Sequence, residues 1–246
     1  SGLSKVRTIC WTHEADSMII TNDQGNVDRP NNYILTRESG FKTITELTKG
    51  QNCNGADTHP INGELYFNSY NAGQVFRYDF NTKETIPLFT IQDSGWEFHI
   101  QFHPSGDYAY IVVVNKHYIL RSDYDWKTKR LTTPYIICGS QGDAAWVDGV
   151  GKKARMNRPR QGTFVKNPAY EGSNDEYDFY FCDRENHCIR ILTPQGRVTT
   201  FAGRGSNGTS GYNDGDLRQE ARFNHPEGIV YDEERECFFI GEIGRA

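Results

Sequence analysis

The sequence of 246 residues predicts an all-β protein, and three observations lead to this prediction. Strand-sized apolar runs recur between clusters of Gly, Pro, Asn and Asp, whereas no segment longer than about ten residues keeps a helical period. The runs fall into groups of four at a spacing of about 45 residues. In addition, residues 138–165 and 202–230 repeat one order of glycines, turn, short helix-sized stretch and apolar strand. This pattern is typical of a β-propeller, in which four-stranded antiparallel blades pack around a channel.

The predicted strands form four complete groups and half of a fifth. They cover 7–12, 17–22, 32–37 and 42–47; 53–58, 64–69, 74–79 and 86–91; 97–103, 108–114, 117–122 and 134–138; 161–166, 177–182, 188–193 and 198–202; and 227–231 and 236–241. The corresponding blades are 1–50, 51–95, 96–139, 140–203 and a truncated 204–246. We expect one partial propeller domain over 1–246 that protein outside this chain completes, because an open ring would expose unpaired strand edges.

The composition excludes some functions. A net charge of −5 argues against nucleic acid as a partner, because such binding draws its affinity from neutralised phosphates. One basic segment, GKKARMNRPR at 151–160, is either a solvated loop or an anion-binding site. No window approaches the roughly 18 consecutive apolar residues that a membrane helix needs. The 6 cysteines show no CxxC spacing, which leaves a disulfide between Cys182 and Cys188 as the one pairing to consider.

The blade topology predicts where a ligand would bind. In an antiparallel blade, the loop between the second and third strands and the connection after the fourth strand emerge at the same end. This end collects the longest loops rich in Gly and Asp, namely 22–31, 69–73, 139–159, 183–187 and 203–226. Because loops on a rigid scaffold commonly carry function, we expect the binding face at this end.

The sequence FYFCDRENHCIRILTPQGRVTTFAG at 179–203, followed by a DG turn and ARFNHPEGIVYD, resembles the NHL repeat of bacterial β-propellers. Its Asp, Asn-His and Ile-Arg positions are occupied here by Asp183, Asn186, His187, Ile189 and Arg190, whereas Cys188 stands where the family often has Arg. The resemblance is specific for 135–246 and looser for 1–134, where Ser69 replaces the Asp.

The chain looks most similar to the NHL propellers that are attached to IPT/TIG modules in bacterial cell-surface proteins linked to glycan use. The resemblance implies a six-bladed propeller in the intact protein and an extracytoplasmic location, at the cell surface or in the periplasm. It also implies a glycan or protein ligand and an IPT/TIG module outside this chain.

Acidic residues near strand ends have two interpretations. We expect Asp183, and Glu242 at the equivalent place, to accept backbone N–H groups of the following turn, and Asn157 and Asn224 to cap their loops. Glu227 differs, because HPEGIVYD also resembles the entry strand of calcium-dependent lactonase propellers, in which a carboxylate holds an axial metal. Calcium needs six to eight oxygen ligands, and the equivalent position in the fourth group is Arg160 or Gln161.

Aromatic and basic residues at the presumed binding end complete the candidate site. Trp96, Trp146 and Tyr212 suit either sugar rings or packing between blades. His99 and His103 lie four apart, but the intervening FHP turn argues against a joint site. The predicted ligand-binding residues are Trp96, His99, Trp146, Asp148, Arg155, Arg160, Asp183, Arg184, Tyr212, His225 and Glu227.

Three functions fit these patterns. The first is a non-enzymatic recognition module that holds a glycan or protein on its loop-rich face. The second is a lactonase-like hydrolase with one calcium near Glu227, the only cofactor that the sequence suggests. The third is RNA binding, which some NHL propellers perform and which the acidic composition disfavours. No GxSxG, HExxH or Walker motif is present.

Overall fold

The computed structural model describes residues 3, 5–23, 30–49, 53–69, 72–91, 97–203, 210–212, 214–217 and 220–242. The β-strands in these ranges are β1 (Val6–Trp11), β2 (Ser17–Asn22), β3 (Pro30–Thr36), β4 (Ile44–Lys49), β5 (Ala56–Thr58), β6 (Leu65–Ser69), β7 (Gln74–Tyr78), β8 (Thr85–Thr90), β9 (Phe98–Phe102), β10 (Tyr108–Val113), β11 (Tyr118–Asp125), β12 (Arg130–Leu131), β13 (Tyr135–Gly139), β14 (Gly149–Val150), β15 (Pro159–Lys166), β16 (Tyr177–Asp183), β17 (Cys188–Leu192), β18 (Arg197–Ala202), β19 (Pro226–Asp232) and β20 (Cys237–Glu242). The helical elements in the same ranges are four short 3-10 helices, Val114–Lys116, Gly151–Lys153, Pro168–Tyr170 and Arg184–Asn186.

The strands form antiparallel sheets that follow the chain order. The first two sheets have the orders β1-β2-β3-β4 and β5-β6-β7-β8. The third has the order β12-β11-β10-β9, with β13 also paired to β11, and the fourth has the order β14-β18-β17-β16-β15. The hairpin β19-β20 starts another sheet. The all-β prediction with four-stranded antiparallel blades is therefore confirmed, whereas the single domain, the closed ring and the number of blades stay predictions.

Two short strands were not predicted. β12 pairs with the end of β11, and β14 leaves the long connection before β15 to pair with the edge strand β18. Each contains only two residues, which is too short for an alternating apolar pattern to show.

The chain divides into two compact units, Ser1–Ile111 with Ser122–Pro134 and Val112–Arg121 with Tyr135–Ala246. In the first unit, β5 lies beside β1 and β9, the first strands of the adjacent sheets. The Thr8 hydroxyl donates to the Asn54 carbonyl at 2.7 Å, and the Phe102 N–H donates to Asp57 Oδ2 at 2.8 Å. In the second unit, β19 lies beside β15, and the Tyr231 N–H donates to Thr163 Oγ1 at 3.3 Å. Side-by-side first strands are what radially packed blades require.

Apolar side chains fill the space between neighbouring sheets. One cluster in the first unit contains Ile19, Cys53, Ala56, Leu65, Phe67, Phe76 and Tyr78. A second cluster in the second unit contains Cys182, Ile189, Ala202 and Ile229, with Tyr180, Phe201 and Phe238 packed against it. A sheet with two apolar faces needs such a neighbour, because each fully buried large side chain contributes about 1.5–3 kcal/mol relative to exposure.

All cysteines are free thiols, so the pairing considered for Cys182 and Cys188 is not formed. Cys53, Cys138, Cys182 and Cys188 are buried. Burial raises the pKa of Cys53 to about 12. Among the described residues, no helix has the length and apolar character that crossing a membrane requires.

Gly55 is expected to be essential for the close approach of two first strands. A Cβ at this position would lie 2.7 Å from the Phe98 carbonyl oxygen and 2.8 Å from the His99 Cα. Because both are backbone atoms, Gly55→Ala should lower the free energy of unfolding by about 1–3 kcal/mol in urea titrations. Gly228→Ala, where nothing lies within 4 Å of the added carbon, is the matched control. Equal stability of the two variants would contradict this account.

Candidate functional site

A buried ion pair lies at the end of β16, where the sequence predicted an acidic turn residue. Arg190 and Asp183 have fully buried side chains, and Arg190 NH1 donates to Asp183 Oδ2 at 2.6 Å. Asn186 Nδ2 donates to the same oxygen at 2.7 Å. Asp183 Oδ1 accepts the Asn157 N–H at 2.8 Å. Burial raises the pKa of Asp183, and the Arg190 charge and these donors act against that shift.

The donor to Asp183 corrects the sequence prediction. Asp183 accepts the backbone N–H of Asn157, which precedes it on the long connection, and from the turn that follows it accepts the Asn186 side chain in place of the predicted backbone N–H. Glu242 repeats the arrangement, because its Oε2 accepts the Asn224 N–H at 3.0 Å. Both carboxylates therefore hold the connection that enters their own sheet. The reason is topological: that connection and the turn after the second strand meet at the same end of the sheet.

Arg190 fixes the same connection from inside. Its NH2 donates to the Val147 carbonyl at 2.9 Å and to Asp148 Oδ1 at 3.1 Å, and its NH1 donates to the Arg155 carbonyl at 2.9 Å. Asp148 also accepts from the Thr200 hydroxyl at 2.9 Å. Asp148 and Asp183, both predicted to bind ligand, thus have structural partners.

The loops of the second unit gather at one end, as the topology predicts. Asn186 Nδ2 donates to the Ala145 carbonyl at 2.9 Å, and the Glu185 N–H donates to the Asn157 carbonyl at 3.1 Å. The His225 N–H donates to His187 Nδ1 at 3.1 Å. The described parts of 139–159, 183–187 and 203–226 are therefore neighbours. Of the loops predicted in the first unit, residues 24–29 and 70–71 lie outside the described residues.

A chain of polar contacts crosses this end of the second unit. Asn224 Nδ2 donates to the Tyr212 hydroxyl at 2.6 Å, and Asn224 Oδ1 lies 2.7 Å from His225 Nδ1. His225 Nε2 lies 3.3 Å from Glu185 Oε2, so both ring nitrogens face oxygens. Glu185 pairs with Arg184. This chain, which we call the polar relay, continues to Glu227.

Glu227 ends the polar relay between two arginines. Arg184 pairs with Glu227 Oε1, and Arg160 Nε lies 3.1 Å from Glu227 Oε2. Arg160 and Glu227 follow Pro159 and Pro226 on adjacent first strands, so equivalent positions meet in space. The Glu227 side chain is 37% exposed, whereas those of Arg160 and Arg184 are 14% and 19% exposed. The relay is therefore half-buried, with its carboxylate at the surface.

The surroundings of Glu227 do not fit a calcium site. Guanidinium groups occupy the positions in which a metal would need further oxygen ligands. The described residues contain no group of three or more His, Cys, Asp or Glu side chains arranged to hold a metal ion.

The other predicted residues are placed elsewhere. Trp146 is 36% exposed, and its indole N–H donates to Thr200 Oγ1 on β18 at 3.0 Å. Arg155 binds Asp143 Oδ2 at 2.9 Å, which neutralises part of the basic segment. His99 is buried, with its Nε2 3.8 Å from Glu97. Trp96 lies outside the described residues.

The sequence analysis missed Glu185 and the linking role of Asn224. Asn224 was expected only to cap its loop, and Glu185 belongs to a 3-10 helix of three residues, too short for a pattern. The available signal was the repeat itself, since Asn224 and His225 occupy the positions that Asn157 and Arg158 hold in the preceding copy.

Histidines at left-handed turn positions repeat between the third and fourth sheets. His117 and His187 have φ values of 64° and 54°. His117 Nδ1 accepts the Arg158 N–H at 3.0 Å, as His187 Nδ1 accepts that of His225. At the offset of 70 residues that relates the two histidines, Val113 and Leu120 replace Asp183 and Arg190. One turn is therefore built with an ion pair in one sheet and with apolar residues in the other.

These antiparallel sheets define a β-propeller. Comparison with solved structures then gives close matches among proteins of Bacteroides. An auxiliary nutrient binding protein from Bacteroides thetaiotaomicron VPI-5482 is 92% identical, with a TM-score of 0.95, and the match covers 98% of this chain and 57% of that protein. Another, from Bacteroides ovatus ATCC 8483, is 42% identical, with a TM-score of 0.93 and the same coverage, 98% and 57%.

A further protein from Bacteroides thetaiotaomicron VPI-5482, whose name suggests a phosphatase, is 42% identical with a TM-score of 0.89, over 96% of this chain and 58% of that protein. The chain thus spans little more than half the length of these proteins. Virginiamycin B lyase from Staphylococcus aureus, 16% identical with a TM-score of 0.59 over 97% of this chain and 64% of the lyase, supports the fold alone. Neither a scan of protein-family profiles nor a search of curated proteins gives a match.

A double-mutant cycle tests the buried ion pair. Asp183→Val and Arg190→Leu should each lower the free energy of unfolding by about 3–5 kcal/mol, because each leaves an uncompensated buried charge. The double variant has the residues that the third sheet carries at these positions, Val113 and Leu120. Its loss in free energy of unfolding should be smaller than the sum of the two single losses by at least about 1 kcal/mol. Urea unfolding followed by circular dichroism measures this. Additive costs would show that the pair is not coupled.

The pH dependence of stability tests the neutral state of His187. Burial lowers the pKa of His187, so the unfolded chain binds the proton more strongly and stability falls as the pH drops below about 6.5. In His187→Asn, an amide that suits φ > 0 replaces the ring, and stability should fall less between pH 7.5 and 5.5. Burial raises the pKa of Asp57 to about 7, so protonation of Asp57 raises the stability as the pH falls. This contribution is the same in the wild-type protein and in His187→Asn, and it cancels when the two are compared. His13 is exposed, so His13→Asn is the control. If His13→Asn reduced the pH dependence of stability as much as His187→Asn does, the effect would come from the loss of a titratable charge and not from the buried position of His187.

Proposed function

We propose that this chain is a non-enzymatic recognition module of a bacterial nutrient-binding protein and that its ligand is a glycan. The observation that carries this proposal is the likeness to proteins named auxiliary nutrient binding proteins, at 92% and 42% identity over 98% of the chain. The extracytoplasmic location belongs to the proposal, as do the NHL-type repeat and an attached IPT/TIG module.

We place the glycan on the polar relay of the second unit. The relay offers carboxylate acceptors at Glu227 and Glu185, guanidinium donors at Arg160 and Arg184, and the half-exposed ring of Tyr212. Sugar hydroxyls can both donate and accept hydrogen bonds, so one ring can bind both kinds of group. Because the charges of the relay already pair with one another, a neutral ligand avoids breaking an ion pair without replacing it.

Substitutions in the relay test the proposed site. Arg184→Gln and Glu227→Gln remove one charge each, and either should weaken binding to a retained polysaccharide by about tenfold, equivalent to about 1.4 kcal/mol. The measurement is affinity gel electrophoresis against a panel of soluble plant and host polysaccharides, followed by calorimetry with the retained polysaccharide. Glu234→Gln, an exposed carboxylate at the opposite end of the β19-β20 hairpin, is the matched control.

Three outcomes would reject the proposal. One is retention of no polysaccharide, and another is retention that relay substitutions leave unchanged. The third is hydrolysis of p-nitrophenyl phosphate or of a lactone that Glu227→Gln abolishes, accompanied by a calcium-dependent rise in melting temperature that Glu227→Ala removes. That result would establish an enzyme in place of a recognition module.

A further inference from the structure

The first unit contains a cleft at the end of its strands opposite to the loops after β2 and β6. It has two compartments, of about 500 Å³ and about 230 Å³, which share Asn62, Gly63, Phe80 and Asn81. The larger is lined in addition by Thr12, His13, Glu14, Asp16, Ser17 and Ile34, and the smaller by Glu64, Arg77, Tyr78, Asp79 and Lys129. Short turns between strands build these walls, so the cleft lies outside the loops that the sequence analysis favoured.

Two charged groups in the smaller compartment have unused hydrogen-bonding capacity. Glu64 Oε2 and Arg77 Nε are buried atoms without a hydrogen-bond partner among the described residues. Among the described residues, the carboxylate paired with Arg77 is that of Asp79, whose Oδ2 lies 3.9 Å from Arg77 NH2, beyond hydrogen-bonding distance. Buried polar groups are nearly always hydrogen-bonded in folded proteins, so two unsatisfied atoms in residues that line one cavity mark a place where the described chain leaves hydrogen-bonding capacity unmet.

Hydrogen bonds and ring contacts hold the walls of the cleft. The Tyr124 hydroxyl donates to Glu64 Oε1 and accepts from Asn62 Nδ2 at 2.9 Å. Burial, and after it the Glu64 carboxylate, raise the pKa of Tyr124, so this hydroxyl stays a donor. The His59 ring packs beside Tyr124: its centroid lies 4.0 Å from the centroid of the Tyr124 ring and 5.0 Å from that of the Trp126 ring. His59 Nδ1 accepts the Asn62 N–H at 2.9 Å, which shapes the turn carrying Asn62.

The charge and the surface of the cleft select a class of ligand. Glu64 and Asp79 balance Arg77 and Lys129 in the smaller compartment, whereas Glu14 and Asp16 line the larger one. An anion would meet the acids, and a cation would meet the two basic residues. A neutral molecule with many hydroxyls is repelled by neither kind of charge, because each hydroxyl can donate to a carboxylate and accept from a guanidinium. Phe80, 38% exposed and shared by both compartments, offers an apolar face to a sugar ring.

We propose that this cleft is a second ligand site, which binds the terminal ring of a neutral carbohydrate through Glu64, Arg77 and Phe80. The smaller compartment holds about as much volume as eight liquid water molecules, so a monosaccharide ring is the unit it receives. The site uses no residue of the polar relay and stands independently of the function proposed for the second unit.

Titration with monosaccharides tests the second site. The probes are D-glucose, D-galactose, D-mannose and N-acetyl-D-glucosamine, each added to the full chain and followed by saturation-transfer difference NMR. At least one should bind, and Phe80→Ala should weaken it about tenfold, equivalent to about 1.4 kcal/mol. Glu64→Gln keeps the acceptor for Tyr124 but replaces the free oxygen with an amide, and should weaken binding further than its small effect on melting temperature explains.

Matched variants separate this site from the relay. Phe239→Ala removes an exposed aromatic ring of the second unit that belongs to neither proposed site, so it should leave monosaccharide binding unchanged. The proposal is overturned if none of the four sugars binds, or if binding survives both Phe80→Ala and Glu64→Gln. Binding lost in Glu227→Gln but kept in Phe80→Ala would also overturn it, and would assign the sugar to the second unit instead.

Discussion

The buried guanidinium of Arg190 is the constraint on which the loop-rich end of the second unit depends. A charge removed from water has to be matched by oxygens, and here they come from Asp183, Asp148 and the backbone of the connection before β15. These contacts hold the connection where its oxygens meet the charge. The position of the connection also places Asn157, whose N–H donates to the Asp183 carboxylate. The Asn157 carbonyl in turn accepts the Glu185 N–H, which holds the turn that carries Arg184 and Glu185. The polar relay is thus positioned by a group that it never touches.

The third sheet shows that the ion pair is one of two ways to build the same turn. Val113 and Leu120 occupy the places of Asp183 and Arg190, yet His117 keeps both the left-handed backbone and the acceptor role of His187. Buried ion pairs seldom add stability over apolar residues of similar size, but they fix the partners they need. The histidine is thus the feature that the two turns share, and the ion pair occurs in the sheet that a long connection enters.

The amino-acid sequence predicts the sheets well because alternating burial leaves a repeating pattern. The predicted run 188–193 corresponds to β17 (Cys188–Leu192), and 236–241 to β20 (Cys237–Glu242). Contacts between residues that are far apart in the sequence were harder to predict. The pairing of Arg160 with Glu227 needs the spacing of adjacent first strands, and the cleft around Phe80 is assembled from separate turns, none of which carries a motif. The sequence predicted Asp183 as an acceptor of backbone N–H groups, but it placed the donor in the turn after β16, whereas the donor is Asn157 on the connection before β15.

The burial of the thiols has a practical consequence. A cysteine reacts with alkylating or oxidising reagents as the thiolate, and burial raises the pKa of Cys53, Cys138, Cys182 and Cys188 while shielding their sulfur atoms. These residues lie in both units, so each can be modified only when its own sheets separate. Alkylation followed by mass spectrometry would time the opening of the second, third and fourth sheets in the unmodified protein, without an introduced label.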